Sequence, residues 1–96
     1  MAAKTKNNPE PKRRVNFVYQ AQDANEVYLV GDFNQWNETA HAMKKDSSGL
    51  WKKTVMLMPG LYEYKFLVDG QWKNDPANDD CCENAFGTTN SRIQID

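Results

Sequence analysis

From residue 15 onward, hydrophobic and polar residues alternate with a period of two along much of the chain. The first alternating segment passes through Val15, Phe17 and Tyr19, and the second runs from Val27 to Phe33. Further strands are predicted near residues 50–58, 61–68, 71–73 and 92–95. This period is typical of half-buried β-strands, and no amphipathic helix of useful length is present. Short strands separated by turns indicate an all-β fold and favour an antiparallel β-sandwich over a barrel.

The sequence predicts the strand-pairing register of one hairpin. The dipeptide Asp69-Gly70 separates two strand patterns, and Asp-Gly in this position is the strongest short-range signal for a two-residue type I′ turn. Such a turn places Val68 opposite Gln71 and Leu67 opposite Trp72. Directly opposed residues share a face of a sheet, so Leu67 and Trp72 are expected on the same side.

The strand before this turn has two unlike faces. One face is strongly apolar and is predicted to line the core; it consists of Tyr62, Tyr64, Phe66 and Val68. The other carries Glu63, Lys65 and Leu67, and it gains Trp72 from the hairpin register. Trp72 is therefore expected to point away from the core, beside a lysine and near a glutamate.

Length and charge limit the possible functions. A chain of 96 residues forms one small domain, here predicted at residues 14–96 after a flexible basic tail at residues 1–13. Residues 1–14 carry five basic residues and one acidic residue, which leaves seven basic and twelve acidic residues in the body. An acidic body argues against a nucleic-acid partner.

The predicted cellular compartment follows from the lack of membrane-spanning and secretory segments and from two cysteines. There is no apolar run of roughly 18 residues for a membrane helix and no secretory signal, so no membrane partner is expected. Cys81 and Cys82 are adjacent, and their Cα atoms, ~3.8 Å apart, are too close for an ordinary disulfide. We interpret them as free thiols in a reducing, cytoplasmic environment.

Residues suited to catalysis are scarce. The single histidine, His41, lies in a polar stretch without a nucleophile motif around it. No metal-binding motif or glycine-rich phosphate loop is present, and the acidic run at residues 75–83 lacks the spacing of a calcium loop. The sequence therefore predicts a protein that is not an enzyme and has no metal or cofactor.

The three tryptophans differ in their surroundings. Trp51 lies at a core position of an alternating strand, whereas Trp36 follows a strand end among amide side chains. Trp36 could fold back as a lid on the sandwich, but an exposed pair of Trp36 and Trp72 would mark an interaction site. Sugar rings, single-stranded nucleic acid and a protein partner can all cover exposed indoles, and the acidic body disfavours the nucleic acid.

Several motifs in order resemble a known family. The stretches Val27 to Trp36, Tyr64 to Trp72, Phe86 to Asn90 and Ile93 to Ile95, together with Asp75-Pro76, look like the glycogen-binding domain of AMP-activated protein kinase beta subunits. More broadly they resemble carbohydrate-binding module family forty-eight. The resemblance covers about Arg14 to Ile95.

This resemblance implies a fold, a function and a set of site residues. The expected fold is a single-domain, immunoglobulin-like β-sandwich of the early-set type, and the expected function is non-catalytic binding of α-1,4-linked glucans such as glycogen, starch or maltooligosaccharides. By position, the resemblance implies that Trp36 and Trp72 are the stacking platforms. Hydrogen-bonding groups would come from Lys65, Thr88 and Asn90. Phe86 would place an aromatic ring where the family often has a Leu that inserts against the ligand.

The implied partners are an α-glucan and, beyond it, a glucan-metabolising enzyme or a kinase complex. Because the sequence stops at Asp96, we expect sugar binding without kinase scaffolding or glucan cleavage. The alternative is a regulatory module of the same fold that uses its tryptophan surface to bind a protein.

Overall fold

Eight strands and one short 3₁₀ helix form residues 11–96, the part of the chain that the computed structural model describes. In chain order the elements are β1 (Arg13–Gln20), β2 (Val27–Gly31), the 3₁₀ helix (Asp32–Asn34), β3 (Lys44–Lys45), β4 (Leu50–Leu57), β5 (Gly60–Val68), β6 (Gln71–Lys73), β7 (Cys81–Glu83) and β8 (Thr89–Ile95). Most of the predicted N-terminal tail lies outside the described residues, and its last residue, Arg13, begins β1. Within residues 11–96, no helix has the length and apolar character needed to cross a membrane.

The strands form two antiparallel sheets. The three-stranded sheet has the order β1-β4-β3. The five-stranded sheet has the order β2-β5-β8-β7, and β6 pairs with the end of β5. The segment before β3 runs along the edge of β2, where Met43 donates its backbone N–H to the carbonyl of Val27. The structure confirms the predicted all-β, immunoglobulin-like antiparallel sandwich.

The hydrophobic core lies between the two sheets. Phe17 of β1 packs edge-on against Tyr64 of β5, with ring centroids 5.0 Å apart. Leu29 and Phe66 are fully buried beside them. Trp51 is buried at 6% exposure, which confirms its predicted core position.

The Asp69-Gly70 hairpin forms in the predicted register. Leu67 lies opposite Trp72, and both turn residues have positive φ, 47° for Asp69 and 82° for Gly70, as a type I′ turn requires. The Asp69 carboxylate also accepts hydrogen bonds of 2.9 Å from the backbone N–H groups of Asn25 and Glu26. The turn is therefore attached to the loop before β2 as well as to its own strands.

Three details differ from the predicted strands. The second strand was expected to continue to Phe33, but it ends at Gly31 because the Asn34 side chain accepts the Gly31 N–H and donates to the carbonyl of Leu29, which closes a 3₁₀ turn. The short strands β3 and β7 were not predicted. The last strand begins at Thr89 rather than Arg92.

Candidate functional site

An open groove of about 700 Å³ lies on the outer face of the five-stranded sheet. Its nine lining residues are Trp36, Glu38, Glu63, Lys65, Trp72, Asn84, Phe86, Thr88 and Asn90. All six residues that the sequence marked as candidates line this one groove. Glu38, Glu63 and Asn84 were not among those candidates.

Trp72 forms part of the groove because the hairpin turns its side chain away from the core. It lies on β6, opposite Leu67, and the residue is 44% exposed. An indole so exposed on a short edge strand is available for contact with a ligand. The expected outward orientation is confirmed.

Trp36 is held by the turn that follows β2. Gln35 and Trp36 both have left-handed backbone conformations, and the Trp36 N–H donates to the carbonyl of Gly31 over 2.9 Å. The indole Nε1–H donates to Oδ1 of Asp32, also over 2.9 Å. Trp36 is half-buried and lines the groove.

Gly31 is required where this turn crosses β5. A Cβ atom at Gly31 would lie 2.6 Å from the backbone oxygen of Glu63 and 2.8 Å from the Cβ atom of Tyr64. Both distances are shorter than van der Waals contact allows, and both atoms belong to a central strand. The absence of a side chain at Gly31 thus permits the close approach that brings Trp36 and Glu63 into one groove.

Three polar side chains in the groove keep free hydrogen-bond donors. Lys65 Nζ donates to the carbonyl of Thr89 over 2.6 Å, which leaves two of its three N–H groups free. Asn90 is 7% exposed and donates one N–H to Oε1 of Glu63 over 3.0 Å, which leaves the other N–H. The Thr88 hydroxyl accepts a hydrogen bond from Asn84 over 2.8 Å and can itself donate.

Phe86 projects from a tight loop at one side of the groove. The residue is 89% exposed, which is the largest exposure among the large hydrophobic residues that the structure describes. The Asn84 side-chain oxygen accepts the N–H groups of Phe86 and Thr88 over 2.9 and 3.2 Å, and Gly87 takes a left-handed conformation with φ of 80°. The sequence signal for this loop is an Asn placed three residues before a Gly, a combination typical of turns whose backbone is capped by an Asx side chain.

Carboxylates also face the groove. Glu38 and Glu63 line it together with Lys65, so acceptors and donors are both present. Cys82 lies across from Asn90 in the β7–β8 pair, and burial, followed by the neighbouring Glu63 carboxylate, raises the pKa of its thiol. Cys81 and Cys82 are both free thiols, as interpreted from their spacing.

His41 has a structural environment away from the groove. Its Nδ1 lies 2.8 Å from Nδ2 of the buried Asn34, so Nδ1 accepts and the imidazole is neutral. Burial, and then the charge of Lys53, lowers the pKa of His41. Within residues 11–96, no group of three or more His, Cys, Asp or Glu side chains is arranged to hold a metal ion.

A β-sandwich with aromatic and hydrogen-bonding side chains along an open groove has the features of a carbohydrate-binding domain. Residues 13–96 match the family model described as the glycogen recognition site of AMP-activated protein kinase. The chain belongs to this family. Family membership confirms the predicted function of the domain in glucan binding.

Similar proteins include both plant and animal members. The chain is 51% identical to Protein PTST homolog 2, chloroplastic, of Arabidopsis thaliana over 63 residues, which cover 66% of this chain and 12% of that protein. It is 38% identical to Protein FLOURY ENDOSPERM 6, chloroplastic, of Oryza sativa subsp. japonica, with the same coverage. It is 37% identical to 5'-AMP-activated protein kinase subunit beta-1 of Sus scrofa over 70 residues, which cover 73% of this chain and 54% of that protein. The chain thus spans only part of the length of these relatives.

Proposed function

We propose that the groove binds one α-1,4-linked glucan chain, with sugar rings stacked on Trp36 and Trp72, and that the domain performs no reaction on it. A single observation carries the proposal: the groove combines three aromatic side chains with polar side chains that keep free donors and acceptors. A pyranose ring has an apolar C–H face and a rim of hydroxyl groups. It therefore needs flat apolar surfaces and directional hydrogen-bonding groups within the same small volume.

The hydrogen-bonding capacity of the groove matches this rim of hydroxyl groups. Lys65, Thr88 and Asn90 each retain at least one N–H or O–H group after their contacts within the protein. The carboxylates of Glu38 and Glu63 supply acceptors for hydroxyl protons. A glucan hydroxyl both donates and accepts, so such a mixed lining satisfies it better than a groove lined by cations alone.

The affinity is expected to be modest. An open groove encloses only part of a flexible oligosaccharide, and ordering that chain offsets part of the contact energy. We therefore expect Kd values on the order of micromolar to millimolar for short maltooligosaccharides.

The wider context is proposed from the relatives. One similar protein is a kinase beta subunit and another is the 1,4-alpha-glucan-branching enzyme of Dictyostelium discoideum, which is 52% identical over 40 residues. We propose that this domain brings a glucan to a kinase complex or a glucan-metabolising enzyme. The free thiols of Cys81 and Cys82 support a reducing compartment, and we propose the cytoplasm.

Calorimetric titration with maltoheptaose tests the binding. We expect saturable binding that is lost in Trp36→Ala and retained in Leu61→Ala, a control that removes an exposed apolar side chain of β5 outside the groove. The β-1,4-linked cellohexaose, which has a different chain geometry, should bind more weakly. Chromatography of the sugar after long incubation should recover intact maltoheptaose.

A flat titration up to millimolar sugar, with the protein folded by circular dichroism, would contradict glucan binding in the groove. The exposed aromatic side chains would then be assigned to a protein partner. Shortened sugar products in the recovered sample would instead contradict the proposed lack of catalysis.

A further inference from the structure

Five hydrogen bonds join the indole of Trp36 to the loop of Phe86 in one continuous chain. The chain contains two residues, Asp32 and Asn84, that the sequence did not mark as binding residues. It passes through Asp32, Glu63, Asn90 and Asn84 in that order.

The first half of the chain starts at Trp36. The indole Nε1–H donates to Oδ1 of Asp32 over 2.9 Å, and the other carboxylate oxygen of Asp32 accepts the backbone N–H of Glu63 over 2.8 Å. Asp32 does not line the groove. Its carboxylate connects the turn that bears Trp36 to the central strand β5.

The second half reaches Phe86. Oε1 of Glu63 accepts the Asn90 side-chain N–H over 3.0 Å, and the Asn90 side-chain oxygen accepts an N–H of Asn84 over 2.9 Å. The Asn84 side-chain oxygen then accepts the backbone N–H of Phe86 over 2.9 Å. The amide of Asn84 therefore links the loop of Phe86 to the buried Asn90.

We propose that Asp32 and Asn84 are positioning residues for the groove, Asp32 for Trp36 and Asn84 for Phe86. This inference rests on the proposed function, because it assigns these residues a role in glucan binding. Neither Trp36 nor Phe86 belongs to the hydrophobic core or to the residues packed against it, so packing in the core does not hold either ring in place. Hydrogen bonds that fix the Trp36 indole and the backbone of Phe86 before the sugar arrives reduce the ordering cost of binding.

The test measures maltoheptaose affinity in Asp32→Ala and Asn84→Ala. Asp32→Ala removes the hydrogen bond to the Trp36 indole, and Asn84→Ala removes the hydrogen bond to the backbone N–H of Phe86. We therefore expect the Kd to rise by about 3- to 10-fold in each variant. Asp32→Asn retains an oxygen that can accept the indole N–H and should recover part of the affinity. The matched control is Asp46→Ala, because the Asp46 carboxylate also caps a turn, through Ser48 and Leu50, but lies outside the groove. Its affinity should equal that of the wild type.

Double-mutant cycles separate positioning from general destabilisation. In a Trp36→Phe background the indole N–H is absent, so Asp32→Ala should then change the Kd by less than about twofold. In a Phe86→Ala background, Asn84→Ala should likewise add little. Two-dimensional ¹⁵N–¹H spectra provide a readout without sugar: the Trp36 indole resonance should shift in Asp32→Ala and remain unchanged in Asp46→Ala.

The outcomes distinguish this inference from the proposed function. If Trp36→Ala abolishes binding but Asp32→Ala and Asn84→Ala bind like the wild type, the positioning role is wrong and the proposed function stands. If the losses at Asp32 and Trp36 simply add in the cycle, the Asp32 effect does not act through the indole and its positioning role is also wrong. If Trp36→Ala and Trp72→Ala leave the affinity unchanged, the proposed function is wrong, and the positioning role in binding is wrong with it. If Asp32→Ala does not fold, Asp32→Asn and Asn84→Ala decide the question.

Discussion

Replacing Trp72 by Ala should separate binding from stability. Trp72 lies on the short edge strand β6, the residue is 44% exposed, and its cross-strand neighbour is Leu67. A cross-strand pair of this kind contributes about 0.2–1 kcal/mol, so we expect Trp72→Ala to lower the free energy of unfolding by about 1 kcal/mol. For a domain of this size that corresponds to a decrease in Tm of about 4–8 °C.

The expected effect on binding is larger. Truncation of an aromatic residue that anchors a ligand costs about 2 kcal/mol or more, which is about 30-fold in Kd. For an interaction that is already modest, a 30-fold loss takes binding of short maltooligosaccharides to the limit of detection. Trp72→Ala is thus expected to fold with slightly reduced stability and to bind almost no glucan.

Trp51→Ala is the opposite case and serves as the comparison. Trp51 is 6% exposed, its Nε1–H donates to the carbonyl of Ala21 over 2.8 Å, and Lys45 Nζ lies 5.7 Å from its ring centroid. Removing a buried Trp leaves a cavity and costs about 3–5 kcal/mol. The groove residues do not include Trp51, so the fraction that remains folded should bind glucan with wild-type affinity.

Urea unfolding followed by far-ultraviolet circular dichroism measures the stability difference, and calorimetric titration with maltoheptaose measures the affinity. Equal destabilisation by Trp72→Ala and Trp51→Ala would refute the reasoning, because Trp72 would then contribute to the core. Wild-type affinity in Trp72→Ala would refute its role as a stacking platform.

Further predictions concern the turn after β2, a buried tyrosine and the single histidine. Gly31→Ala would place a Cβ atom 2.6 Å from the backbone oxygen of Glu63. We therefore expect the free energy of unfolding in urea to decrease by about 1–3 kcal/mol and glucan binding to weaken. Unchanged stability would contradict the close approach. Tyr64→Phe removes a buried hydroxyl that bonds to two side chains, and urea unfolding should show a loss of about 1–3 kcal/mol. Because burial and then Lys53 lower the pKa of His41, the stability it contributes is present above its unfolded pKa of about 6.5 and is lost as the pH falls through its folded pKa. The urea midpoint should therefore fall as the pH decreases below about 6.5 in the wild type and fall less in His41→Gln; equal slopes would contradict the neutral histidine.

The alternating pattern and the turn chemistry predicted most of the sandwich. Asp69-Gly70 specifies a turn with positive φ at both positions, and this local geometry determines the register that places Trp72 outside the core. The missed strands β3 and β7 are two and three residues long and contain mostly exposed side chains. Their pairing comes from neighbouring strands, so no hydrophobic alternation within them could indicate it.

Residues of the site could be predicted only where a local sequence rule or a family resemblance applied to them. Trp72 followed from the hairpin register, but the position of Trp36 depends on a tertiary hydrogen bond to Asp32 and on the close approach of Gly31 to β5. Asn84 carried a turn signal, yet its contact with the buried Asn90 joins residues brought together by strand pairing. Pairwise contacts of this kind leave no periodic trace in the sequence.

Core and groove share the strand β5, whose buried residues Tyr64 and Phe66 alternate with the groove residues Glu63 and Lys65. Ligand preference can therefore evolve at every second position of this strand while the core residues stay unchanged. An insertion in β5 would instead disrupt both the core and the groove, because one inserted residue would turn Lys65 inward and an aromatic ring outward. Variation among domains built in this way should thus consist of substitutions on the groove face of β5, with insertions confined to the loops that border it.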